Sequence, residues 1–173
     1  MEDNNTIRPS FRLRHANAQG TGSCLEMILY PAHPHRDGFI MFCLMKQRIG
    51  GARTYDWENR IALKLSFAQV SKIIEVLRGE KESLNGVDGV RCKQENWDCR
   101  LRFEHCLEPV NGYSLRMMRA RGGSIEEISF FMSISEAVGI CVSLEQALLY
   151  ISFGIPVVGT APGKKEGEVS YAA

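Results

Sequence analysis

Apolar and polar residues alternate in twos along much of this chain, the period of a strand with one buried face. Phe11 and Leu13 oppose Arg12 and Arg14, and Leu25, Met27 and Leu29 alternate with Cys24, Glu26 and Ile28. Gly38 to Lys46 is a nearly continuous apolar run, as an inner strand requires. Arg60 to Phe67 alternates most cleanly, with Ile61, Leu63, Leu65 and Phe67 inward and Arg60 and Lys64 outward. After Gly86 the pattern resumes in Val90/Cys92, Cys99/Leu101/Phe103, Tyr113/Leu115/Met117 and Ile128/Phe130/Met132/Ile134.

Two segments switch to a helical period. Ser66 with Gln69 and Ser133 with Glu136 each form a capping box, where hydroxyl and N3 side chain satisfy each other's orphan backbone donors. Behind the first come Val70, Ile73, Ile74 and Leu77, with Gly79 as a stop. Behind the second, Ala137, Cys141, Leu144, Leu148 and Ile151 form a longer stripe ending near Gly154 and Pro156. Leu149, Tyr150 and Phe153 add apolar surface on other faces, more than one monomer can bury.

The two boxes lie 67 residues apart, and the same shift carries Ile61, Leu63, Leu65 and Phe67 onto Ile128, Phe130, Met132 and Ile134. It also carries Ile73 onto Ile140 and Leu77 onto Leu144. The chain therefore reads as four strands and a helix, twice. The expected class is α+β, with repeat one over residues 10–79 and repeat two over 87–155 of one domain spanning 10–155. Residues 1–9 are expected to be a flexible start and 156–173 a loose tail. Tyr30 to Gly38, Ile49-Gly50-Gly51, Glu80 to Gly89 and Gly122-Gly123 read as connectors.

Composition narrows the functional classes. The 173 residues carry 21 Lys and Arg against 20 Asp and Glu, so attraction to phosphate must come from segregated charge rather than net charge. The acidic, polar opening lacks a signal-peptide core, and the apolar stretch Ala147 to Val158 is too short and too interrupted to span a bilayer. An intracellular protein, cytoplasmic or nucleoid-associated, with no membrane partner is expected. Its 6 cysteines sit in apolar runs and read as free thiols.

Segregation is visible on the strands. The polar positions collect Arg12, Arg14, Lys46, Arg48, Arg60, Lys64, Arg91, Lys93, Arg100, Arg102 and Arg116, with Glu104 the main acid among them. Tyr55, Trp57, Trp97 and Tyr113 fall at strand ends beside these cations. Cations for phosphates and flat rings for bases are what an unpaired strand needs. The competing reading is a solvated outer face, with Tyr55 and Trp57 as hydrophobic anchors of a turn.

The stretch FIMFCLMKQRIGGARTYDWENRIALKLSFAQVSKIIEVL (39–77) resembles the Whirly family of single-stranded-DNA-binding proteins. An apolar strand and short turn lead to Tyr55-Asp56-Trp57, then Arg60, an alternating strand and a helix. GYSLRM (112–117), ISFFMSISEA (128–137) and the long helix are similar in outline. The resemblance implies two antiparallel four-stranded sheets packed roughly perpendicular, with the helices at one side, at the centre of a homotetramer. It further implies single-stranded nucleic acid, DNA ahead of RNA, held along the sheet edges. The Lys-Gly-Lys-Ala-Ala motif of plant members is absent. The Pur-alpha family and the kinetoplastid guide-RNA-binding proteins share a similar doubled unit.

Catalytic and cofactor signatures are missing: there is no Gly-x-Gly-x-x-Gly, Walker loop, His-Glu-x-x-His or Gly-x-Ser-x-Gly. His33-Pro34-His35 with Asp37 has no common metal spacing, and Cys-x-x-Cys does not occur. The expectation is a non-enzyme with no catalytic residue, no metal site and no cofactor, binding single-stranded DNA or RNA as a homotetramer or dimer. The alternative is an oligomeric scaffold of the same fold without nucleic acid.

Overall fold

The computed structural model describes residues 8–50, 54–85, 89–94, 97–108 and 110–154. The expected flexible start and loose tail fall almost wholly outside them. The elements are β1 (Ser10–His15), β2 (Ser23–Tyr30), β3 (Phe39–Lys46), β4 (Ile61–Leu65), α1 (Phe67–Leu77), β5 (Ser83–Leu84), β6 (Val90–Gln94), β7 (Trp97–Cys106), β8 (Gly112–Arg121), β9 (Ser124–Ser133) and α2 (Ile134–Phe153).

Sheet 1 is an antiparallel meander in the order β1-β2-β3-β4. Sheet 2 runs β7-β8-β9, with β6 and the two-residue β5 both paired to the outer edge of β7. It therefore has five strands where four were expected, because the connector after α1 adds a short pairing before β6. β4 touches β7 and β8, while β9 touches β2 and β3. Each sheet therefore packs an edge strand across more than one strand of the other.

Both capping boxes close, with Ser66 N donating to Gln69 Oε1 at 2.9 Å and Ser133 N to Glu136 Oε2 at 2.9 Å. Each helix thus starts directly from its sheet at equivalent points of the two halves. Phe67 and Ile134, expected inside, instead begin the helices and are 50% and 40% exposed. Strand phase stops at the caps, so these residues turn away from the sheet. Gly79 and Gly154 follow the two helices with φ of 74° and 78°, a left-handed geometry that glycine adopts without a Cβ clash.

One core joins the facing sides of both sheets. Leu25, Phe42, Ile61 and Leu63 share one cluster with Leu101, Phe103, Leu115 and Phe130, which Val70, Ile73, Ala137, Ile140 and Leu144 of the helices complete. α2 buries Ala137, Ile140, Leu144 and Ile151, while Val138, Val142, Leu149 and Phe153 stay 54–85% exposed on another side. With two apolar faces, α2 is long and apolar enough by length and composition to cross a membrane, at a mean hydropathy of 1.4. The stretch read from sequence, Ala147 to Val158, missed this because the apolar unit begins at Ile134.

A small second core lies on the outer face of sheet 1. Cys24, Cys43 and Met45 are covered there by Tyr55, with Ile28, Met41, Trp57 and Ala62 around them. The segment that carries Tyr55 is tied down by Asp56 N to Lys46 O at 2.9 Å and by Arg48 N to Thr54 O at 2.9 Å.

Candidate nucleic-acid interface

On the outer face of sheet 2, strand register stacks like charges. Arg91 lies opposite Arg100 on β6 and β7, and Arg102 lies opposite Arg116 on β7 and β8. Directly opposed like charges destabilise a sheet by a few tenths of a kcal/mol up to about 1 kcal/mol. The first pair is relieved by Asp98, which accepts from Arg91 Nε at 2.9 Å and Nη2 at 2.8 Å, and from Arg100 Nη2 at 3.0 Å. The Arg91 bonds, then those of Arg100, hold the Asp98 carboxyl at about 2 against the opposing effect of desolvation. The second pair is relieved less, by a Glu104–Arg116 contact of 3.6 Å. Among the described residues no carboxylate pairs with Arg102.

Arg102 also sits at a break in the sheet edge. β5 pairs Phe103 and Glu104 whereas β6 pairs Trp97 to Leu101, so among the described residues Arg102 has no strand partner on that side. A recess opens at the break, lined by Gly89, Val90, Arg91, Arg100, Leu101 and Arg102. Half-exposed guanidinium groups around such a recess suit a tetrahedral anion, since their charge-assisted bonds are about twice as strong as neutral ones. Lys93 extends this face toward Trp97.

Sheet 1 uses its cations differently. Arg12 is bonded to the buried Glu26 at 2.6 Å and lies 5.0 Å over the Trp57 ring. Lys64 lies 4.3 Å over Phe39, and Arg60 Nη1 donates to Trp57 O at 2.7 Å. Arg48 is shared between Asp56 at 3.6 Å and Glu58 at 3.8 Å. Arg14 lies beside Cys24. Burial pushes the neighbouring Cys43 thiol up to about 11, so these cysteines are inert packing groups.

Several expected positions move. Tyr55 is 4% exposed and Tyr113 7% exposed, so neither offers a free ring face to a base. Tyr55 closes the second core, while Tyr113 packs against Phe103 in the main core and donates its hydroxyl to Leu77 O at 3.2 Å. Lys46 shares the side of Ile40, Phe42 and Leu44, not the outer face, and lines a recess with Asp56, Asn59 and Glu126 at the end of β3. Trp57 and Trp97 are each half-buried, one against the second core and the other against the first. Arg119 and Arg121 escaped the sequence reading. They share the side of Leu115 and Met117, the phase of core residues, past the point where the core ends.

No group of three His, Cys, Asp or Glu side chains among the described residues could hold a metal ion. His33 and His35 lie on a tight turn closed by the His33–Arg36 bridge, with their rings 6.2 Å apart.

No protein-family model and no curated protein sequence matches the chain. Solved structures do. WHY1 from Arabidopsis thaliana superposes with a TM-score of 0.69 at 14% identity, over 84% of this chain and 86% of that one. The chain has a Whirly fold. The trypanosome MRP1/MRP2 structure shares it, with a TM-score of 0.61 at 18% identity, over 83% of this chain and 86% of that one. A guide-RNA-binding protein complex, solved bound to a guide RNA, gives a TM-score of 0.60 at 19% identity, over 83% of this chain and 92% of that one. Both helices contribute to the main core, and the opposed arginines stand exposed on the other face of sheet 2.

Proposed function

We propose that this protein binds single-stranded nucleic acid, DNA in the first instance, with little sequence preference and as a homo-oligomer. The observation that carries the reading is the pair of in-register arginine couples on sheet 2, each facing a single carboxylate among the described residues, Asp98 or Glu104, so that each couple keeps one unmatched positive charge. Phosphates spaced along a strand would supply the missing counter-charge. Arg91, Lys93, Arg100, Arg102 and Arg116 are the phosphate contacts, and Arg12, Arg14, Arg60 and Lys64 form a secondary track. Phosphate contacts position a strand without reading its bases, which accounts for low sequence preference. A Whirly-fold neighbour solved bound to a guide RNA, and another described as a plant transcriptional regulator, support the class of ligand. The exposed stripe of α2 supports self-association through the helices, a tetramer being the expected state.

A scaffold without nucleic acid would need the same stripe but would not need the opposed arginines. Binding of labelled oligo-dT, oligo-rU and a matched duplex by anisotropy, with the mass by light scattering, separates the readings. Tight binding to oligo-dT with much weaker binding to duplex is expected. Equal binding to all three, or to none, overturns the proposal.

A further inference from the structure

The two sheets part company at one corner, and the gap is lined by an unusual set of residues. Glu58, Arg60 and Ala62, from β4 and the turn before it, face Trp97 and Cys99 of β7 and Arg119 and Arg121 of β8 across an open notch of about 340 Å³. That is at the lower end of about 300–1,000 Å³ for small-molecule sites. Trp97, Cys99, Arg119 and Arg121 all occupy core-phase register positions. Inward-facing cations are costly unless they are wet or paired, so the splayed corner is what lets this sequence place them there.

The notch has a fixed wall and a cation that no carboxylate among the described residues holds. Arg119 is pinned, with Nη1 donating to Arg60 O at 3.1 Å and Nε to Glu126 Oε2 at 3.0 Å. That tie also fastens β4 to sheet 2. Among the described residues no carboxylate pairs with Arg121. The Trp97 ring packs against the core and borders the notch as well, while Ala62 and Cys99 give a small apolar lining. Burial holds the Cys99 thiol at about 11, so this lining is neutral.

We infer that the notch is a pocket for a single base of a bound strand, with Trp97 as stacking surface and Arg121 on the adjoining phosphate. This rests on the proposed nucleic-acid binding and adds to it a place where one base leaves the track. Trp97 acts here, apart from the phosphate contacts of sheet 2, and Arg121 joins it. Stacking tolerates any base, so the pocket is compatible with low sequence preference.

An abasic oligonucleotide separates stacking from charge. Full-length protein and its Trp97→Ala, Trp97→Phe and Arg121→Ala variants are titrated with a dT 12-mer and with an abasic 12-mer of the same phosphate count. Trp97→Ala should weaken the dT oligomer about 5- to 150-fold, the range of one lost stack, and leave the abasic one unchanged. Trp97→Phe should retain most of the affinity, which separates loss of stacking from loss of fold. Arg121→Ala should weaken both ligands and lower the salt slope by about 0.7, the share of one phosphate contact on a single strand. Zero-length crosslinking with a bromodeoxyuridine oligomer should map to Trp97. If the dT oligomer binds wild type tightly yet neither Trp97→Ala nor Arg121→Ala changes its affinity and no crosslink reaches Trp97, the pocket is refuted and the wider reading stands. If wild type binds neither oligomer, both fall together.

Discussion

Arg102 stands directly opposite Arg116 across β7 and β8, and the nearest relief among the described residues is Glu104, 3.6 Å from Arg116. A sheet optimised for stability alone would not pair these two charges. Replacing both by Ala is therefore expected to leave stability unchanged or raise it, by up to about 1 kcal/mol. Urea denaturation at low ionic strength checks this, and a loss well beyond that size would show that the pair is structural.

Asp98 is the internal competitor for the same surface. Asp98→Asn frees Arg91 and Arg100, and affinity for oligo-dT at neutral pH should rise severalfold. The variant also carries a pH signature. The folded carboxyl is depressed to about 2, so its contribution to stability is complete above the normal carboxylate range. That contribution is lost as pH falls through that range toward about 2. The stability gap between wild type and Asp98→Asn should hold constant from pH 7 to 5 and close between about 4 and 2, as read by urea melts across that range.

Tyr113 tests where the aromatic contacts are. Its ring is in the core and its hydroxyl bonds Leu77 O, so Tyr113→Phe should cost about 0.5–1.5 kcal/mol of stability. Oligo-dT affinity should be unchanged by anisotropy. A loss of affinity without a loss of stability would return Tyr113 to the binding surface.

Much of the fold was legible because the two halves repeat one local grammar: an alternating strand, a serine cap and an apolar stripe. Ser66 and Ser133 mark it so plainly that both helix starts could be placed from the sequence. The site was less legible, and the reason is strand phase. Tyr113 alternates with Leu115 and Met117, which already placed it inward, yet its position at a strand end suggested exposure. Lys46 follows a run with no polar alternation, so its side could not be read until pairing with β2 fixed it. Arg119 and Arg121 continue an inward phase past the end of the core, and only the divergence of the two sheets makes those positions wet. The five-stranded edge arises from the connector after α1, where two residues of β5 pair with β7 without any run of apolar residues to announce them.

The exposed stripe of α2 makes a claim about assembly. Val138 and Val142 are 59% and 54% exposed on a helix whose other face is in the core. Val138→Glu with Val142→Glu should reduce the mass measured by light scattering to that of a smaller species, with circular dichroism unchanged. An unaltered mass would place the self-association surface elsewhere, or show that none exists.

The most direct test of the central claim is the salt dependence of oligo-dT affinity for wild type beside the Arg102→Ala/Arg116→Ala variant, measured from about 50 to 200 mM salt. Each phosphate contact contributes about 0.7 to the slope of log affinity against log salt for a single strand. The wild-type slope should be steep, and the variant should show a weaker affinity with a slope shallower by about 1.4. Superimposable lines for the two proteins would contradict the claim.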